Sequence, residues 1–162
     1  MKKIILTVIA AAISYCIGYP QNCLPEGITF TTQAQINNFQ TNYPGCTEIE
    51  GNVQISGLFN ITNLNGLNVL TTIGGSLVIQ QSFALTNLTG LDNLTSIGGG
   101  FWIENNYTLA SLTGLENLTS IGGNLFIFDN GLLTDINGLD NVQASTIATY
   151  RTGSMLLSEY LP

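Results

Sequence analysis

The sequence contains no histidine and only three basic residues among its 162, namely Lys2, Lys3 and Arg151. Because histidine is absent, nucleophilic catalysis by a Ser-His or Cys-His pair is excluded. The formal net charge is −7, so the chain lacks the cationic side chains that neutralise nucleic acid phosphates or anionic lipid head groups. These absences argue against nucleic acid as a partner, and they predict a protein that is not an enzyme and binds no cofactor.

Charged side chains make up only 8% of the residues, whereas hydrophobic residues make up 44%. The chain begins with two lysines and continues into an apolar run over 4–13, which is too short to span a bilayer comfortably. This pattern predicts a signal peptide over 1–20, so the mature chain is expected to be secreted or held at the cell surface without membrane insertion. The alternatives are a signal anchor and lipidation of Cys16, which the bulky Tyr15 before it disfavours.

Removal of the leader leaves two cysteines, Cys23 and Cys46. An even pair in an exported chain favours a disulfide, and closing a loop of this length should stabilise the fold by about 3 kcal/mol. Two free thiols are the alternative. A zinc site is disfavoured, because two thiolates without a histidine do not complete a tetrahedral set of ligands.

The strongest signal in the sequence is an internal repeat of 24 residues. Three copies align without a gap and a more diverged copy precedes them, so the four cover 47–70, 71–94, 95–118 and 119–142. Each copy has a short alternating run, such as Leu77-Val78-Ile79, whose period of two predicts a strand. A fixed period of this size is typical of a solenoid, in which each strand pairs with its equivalent one repeat away.

We therefore predict a mainly β fold, a right-handed parallel β-solenoid with four 24-residue rungs over 47–142. Residues 21–46 are expected to cap its first rung, and 143–162 are interpreted as a degenerate last rung or a tail. The predicted interior columns begin in the first copy with seven apolar residues: Ile49, Val53, Ile55, Ile61, Leu64, Leu67 and Leu70.

The N-terminal cap is predicted to contain a short helix over about 32–41. Thr32 is placed to serve as its N-cap, and Gln35 occupies the reciprocal position of a capping box. Ile36 and Phe39 contribute to one apolar stripe. The two cysteines lie on either side of this helix, so a disulfide between them would hold it over the first rung.

A family resemblance is carried by the entry segment GCTEIEGNVQI and by the recurring pattern L-x-x-L-x-G-L-x-x-L-x-x-I-G-G-x-L-x-I. These residues resemble the receptor L-domain family, and more closely bacterial secreted proteins built from L-domain-like leucine-rich repeats. The resemblance extends from about Cys23 to Val142. It implies a secreted or cell-surface module that binds a ligand and has no catalytic residues, although a fold does not by itself fix a function.

The outward side of the predicted strands carries the candidate ligand-binding residues. Because adjacent strand residues face opposite sides, Phe101 is expected in the core and Trp102, the only tryptophan, toward solvent. Aromatic side chains exposed on a rigid sheet are typical of binding surfaces. One alternative is that the tail with Met155, Leu156, Leu157, Tyr160 and Leu161 covers this face, and another is a dimer contact. The candidate residues are Val78, Trp102, Phe126, Phe128, Gln80 and Glu104.

Polar residues that recur at fixed repeat positions are interpreted as structural. The acidic column is expected to be a solvated corner, with a weak calcium site as the alternative. The Asn-x-Thr triplets are interpreted as turn and ladder residues and not as glycosylation acceptors. The acidic column consists of Asp92, Glu116 and Asp140, and the triplets begin at Asn60, Asn87, Asn93, Asn106 and Asn117.

The sequence as a whole predicts a non-enzymatic recognition or adhesion module that binds an extracellular protein or glycan. The first alternative is a structural component of a surface layer or matrix. A polysaccharide lyase is disfavoured, since Arg151 is the only candidate base and lies outside the repeats. Ice binding is disfavoured because the paired hydroxyl residues lie at a bend: Thr71-Thr72, Thr95-Ser96 and Thr119-Ser120.

Overall fold

The computed structural model describes residues 21–150, with side chains described for 22–143. The described residues are mainly β, and all strand pairs among them are parallel. The ten strands in this range are β1 (Gln21–Cys23), β2 (Ile28–Phe30), β3 (Cys46–Ile49), β4 (Val53–Ile55), β5 (Thr72–Ile73), β6 (Leu77–Gln80), β7 (Ser96–Ile97), β8 (Phe101–Glu104), β9 (Ser120–Phe128) and β10 (Gln143–Tyr150).

Two parallel ladders run through the repeats and meet in β9. One ladder has the order β2-β4-β6-β8-β9 and the other has the order β1-β3-β5-β7-β9. Within the repeats each strand pairs with its equivalent 24 residues on, so Leu77 lies beside Phe101 and Phe101 beside Leu125. The predicted parallel β architecture is thereby confirmed, while the right-handed sense of the coil and the count of four rungs stay predictions.

The core is built from columns of identical or similar apolar residues. All seven interior residues predicted for the first copy are buried, with at most 1% of their surface exposed. Their equivalents in the later copies continue the same columns, because stacking buries apolar surface that a single copy cannot bury alone. The second-copy members are Ile73, Leu77, Ile79, Leu85, Leu88, Leu91 and Leu94.

Two short helices, and not one, cover the first repeat: α1 (Gln33–Asn37) and α2 (Phe39–Asn42). The predicted capping box is confirmed, since the Thr32 side chain accepts from the Gln35 N–H while the Gln35 side chain accepts from the Thr32 N–H. The helix breaks at Asn38, whose φ of −96° and ψ of 7° depart from helical values. Fully buried side chains of Ile36 and Phe39 attach this pair of helices to the core.

The predicted disulfide between Cys23 and Cys46 is confirmed. It joins the end of β1 to the start of β3, and the Cα atoms of the two cysteines lie 5.7 Å apart. The Gln33 side chain adds a second attachment, because its Oε1 accepts from the Thr62 N–H at 2.8 Å and from the Asn63 N–H at 3.2 Å. The disulfide therefore closes the cap on itself at the start of β3, and hydrogen bonds attach the cap to the first repeat.

At the other end, β10 pairs in parallel with β9, and Ala148 lies beside Phe126. The predicted signal peptide over 1–20 and the apolar tail over 151–162 lie outside the described residues. Between residues 21 and 150, no helix has the length and apolar character needed to cross a bilayer.

Candidate binding surface

The inner and outer sides of β8 differ as the alternation predicts. Phe101 is fully buried, whereas its neighbour Trp102 is half-buried on the opposite side of the strand. The register places Val78 and Phe126 on either side of Trp102. Sequence analysis therefore placed both aromatic residues of this strand on the correct sides.

Trp102 is held against the ladder by its neighbours in space. Its ring stacks on that of Phe126, with centroids 5.8 Å apart and planes inclined by 19°. The ring lies over Gly100, where an added Cβ atom would lie only 2.6 Å from Cζ3 of Trp102. The equivalent positions hold Asn52, Ser76 and Asn124, so only in this copy does the chain leave room for an indole ring.

The six candidate residues from the sequence lie in two adjacent outward columns of the ladder. In the second column, Gln80 pairs with Glu104 and Glu104 with Phe128. Phe128 is the most exposed of the six, at 38%, and the other five are half-buried. We call this set the strand face.

A second aromatic row, which sequence analysis did not identify, lies at the turn that follows these strands. It consists of Phe59, Phe83 and Tyr107, and consecutive ring centroids are 5.4 Å apart in both pairs. Phe59 is 77% exposed and Tyr107 is 55% exposed. The signal was present in the sequence, because these residues recur at intervals of 24. We call this set the turn row.

An inward ladder of polar side chains fixes the backbone from which the turn row projects. Asn130 Oδ1 accepts from the Asn106 N–H at 3.1 Å, and Asn106 Oδ1 accepts from the Ser82 N–H at 3.0 Å. Asn106 Nδ2 also donates to the Ile79 carbonyl at 2.9 Å. Ser82 directly precedes Phe83 and Asn106 directly precedes Tyr107, so buried hydrogen bonds hold these two aromatic residues in place.

The acidic column stabilises turns. Asp92 accepts from the Gly90 N–H at 2.6 Å, and Glu116 accepts from the Gly114 N–H at 2.8 Å. Gly90 has a φ of 111°, a conformation that favours glycine. Within 21–150, no group of three or more acidic, cysteine or histidine side chains is arranged to hold a metal ion.

Hydrogen bonds also account for the recurring asparagines and threonines. Asn106 is fully buried, so the folded chain has no room for a glycan there, while Asn93 and Asn117 donate to backbone carbonyls one repeat earlier. The hydroxyl groups of Thr95 and Thr119 donate to the carbonyls of the preceding copy at 3.0 and 3.1 Å. These groups support the ladder, as the turn-and-ladder interpretation of the asparagines predicts.

The described part of the chain is uniformly acidic. Of the ten acidic residues only Glu159 lies outside 21–150, and all three basic residues also lie outside this range. The described residues therefore carry nine carboxylates and no basic side chain. Glu104 lies on the strand face, and Asp129 follows Phe128 directly at the start of the adjoining turn.

Comparison with known proteins gives one family match. Residues 45–133 match the family model described as Receptor L domain. This match covers more than half of the chain and includes both the strand face and the turn row. No curated protein matches the sequence.

Proposed function

The chain belongs to the receptor L domain family, and from that premise we propose that it is a secreted or cell-surface module that binds an extracellular protein through the strand face. The family is one of ligand-binding, non-enzymatic modules. The predicted signal peptide supports export, and the disulfide between Cys23 and Cys46 supports an oxidising compartment.

The observation that carries this proposal is the stacked pair of Trp102 and Phe126 on the outside of the ladder. The outward position is not required to be aromatic, because Gln54 occupies the same column in the first copy. Tryptophan and other large aromatic residues are the side chains that most often dominate binding energy at protein interfaces. A parallel ladder also holds them rigidly, which lowers the entropy lost on binding.

A protein partner is favoured over a glycan by the family to which the chain belongs, because receptor L domains bind protein ligands. Ice binding is not supported, since the hydroxyls of Thr95 and Thr119 are bonded to backbone carbonyls. A purely structural role would leave the strand face without a ligand.

The proposal can be tested by probing an array of extracellular proteins and glycans with the purified chain. We expect a protein ligand whose affinity falls by about 30-fold in Trp102→Ala, as for an interface anchor. Gln40→Ala, an exposed change on α2, should leave the affinity unaltered. Binding to glycans alone, or equal binding by Trp102→Ala, would refute the proposal.

A further inference from the structure

Folding alone does not favour the turn row, because the row leaves apolar ring surface exposed to water. Phe59 and Tyr107 expose most of their rings to water, and Leu58 and Leu132 beside the row's positions are also exposed. Aromatic rings in such a continuous exposed row mark an interaction surface more often than a tolerated accident. Beside Phe83 and Tyr107 the inward positions are filled by Ser82 and Asn106, so these rings are not needed to fill the interior.

The charge around the row restricts its partner. Glu104 lies three residues before Tyr107, and the Asn105 Oδ1 between them is 3.5 Å from the Tyr107 hydroxyl oxygen. The nine acidic residues of the described range are accompanied by no basic side chain within that range, so the surface that carries the row is negatively charged.

We propose that the turn row docks a positively charged segment of an extracellular protein. Apolar side chains of that segment would pack along the rings of Phe59, Phe83 and Tyr107, while its lysine or arginine side chains would face Glu104. An acidic partner would be repelled by the negative charge of this surface. This inference rests on the proposed function in taking the ligand to be a protein, but it assigns the contact to the turn row and not to the Trp102 pair.

The test uses three labelled synthetic peptides of equal length, alternating leucine with lysine, leucine with glutamate, and serine with lysine. Their affinities for the full chain are measured by fluorescence anisotropy. We expect binding of the leucine-lysine peptide, at least about tenfold weaker binding of the serine-lysine peptide, and none of the leucine-glutamate peptide. Raising the ionic strength from about 0.05 M to about 0.5 M should weaken the first interaction several-fold.

Variants distinguish peptide binding at the turn row from an effect of net charge and from binding at the strand face. Phe83→Ala combined with Tyr107→Ala should reduce leucine-lysine peptide binding about tenfold, and Phe59→Ala, at a 77% exposed position, should reduce it without risk to folding. Glu104→Gln should weaken binding more than Asp140→Asn, which removes the same charge from the acidic column. Trp102→Ala should leave peptide binding unchanged.

Three results would overturn the inference. The first is that both the double variant and Phe59→Ala bind the leucine-lysine peptide with the affinity of the unmodified chain. The second is an equal effect of Glu104→Gln and Asp140→Asn, which would show that only net charge matters, and the third is equal binding of the leucine-glutamate peptide. Each of these results can be distinguished from failure of the proposed function. That failure is detected by measuring how Trp102→Ala affects binding of the protein ligand found by the array.

Discussion

The inner and outer sides of the same strand ladder differ in how much their residue types vary from copy to copy. Inward, Val53, Leu77, Phe101 and Leu125 form a column in which every member is apolar and buried. Outward, the adjoining column changes from glutamine in the first copy to valine, tryptophan and phenylalanine in the next three. Stacking therefore fixes the composition of the inside, whereas the outside is free to vary, and its aromatic residues need a reason other than folding.

Replacing Phe101 breaks the inner column and should have the largest effect. Phe101→Ala creates a cavity in a fully buried site, so we expect a loss of about 3–5 kcal/mol in the free energy of unfolding. Urea unfolding followed by circular dichroism measures this loss. Trp102→Ala, the matched change on the other side of the strand, should cost about 1 kcal/mol or less. Equal losses for the two variants would show that the inner and outer sides do not differ.

Removing the disulfide tests how far the ladder depends on its cap. Cys46→Ser should lower the free energy of unfolding by about 3 kcal/mol, because the bridge closes a loop of 23 residues in the unfolded chain. Thermal unfolding with and without a reductant measures the same effect in the unmodified chain. An unchanged midpoint after verified reduction would contradict a stabilising role for the cap.

Removing an asparagine from the buried ladder should lower the stability of the fold more than removing an exposed asparagine. Asn106→Ala leaves the Ser82 N–H and the Ile79 carbonyl without their partners, at a cost of about 2–3 kcal/mol. Asn93→Ala removes an exposed bond to the Asn68 carbonyl and should cost less than about 1 kcal/mol. Denaturant midpoints compare the two variants, and a larger loss for Asn93→Ala would refute this ranking.

The smallest expected effect concerns the space beneath Trp102. Gly100→Asn introduces the residue found at this position in the first and fourth copies, and its side chain would collide with the indole ring. We expect the ring to leave Phe126 and become more exposed, with a red-shifted emission and a stability loss of about 1 kcal/mol. Asn52→Gly, which introduces glycine at the same repeat position two copies away from Trp102, is the control and should not change the emission.

Much of the fold was predictable because a repeat turns one local pattern into a column. The alternation at Leu77-Val78-Ile79 predicted an inner and an outer side, and repetition at 24 residues aligned it with Phe101-Trp102-Ile103. The single predicted cap helix was wrong in one respect, since the helix breaks at Asn38, and the apolar stripe of Ile36 and Phe39 does not indicate this break.

The candidate site was only partly predictable. The strand face followed from the period of two, but the turn row lies in a segment without strand alternation, where a side chain's direction depends on backbone turns. Asn105 has a φ of 56° and Gln81 one of 50°, conformations that are uncommon outside glycine and that sequence patterns do not reveal for these residues. The inward position of Asn106 was likewise hidden, because a polar residue in a turn ordinarily faces water.

Quenching of the single tryptophan tests most directly whether the strand face is open for a ligand. Acrylamide is titrated into the full chain without any partner, and the emission of Trp102 is recorded. We expect ready quenching, and protection from quenching once the protein ligand is added. A blue-shifted emission that resists acrylamide in the free chain would show that the face is already covered and would contradict its assignment as a binding surface.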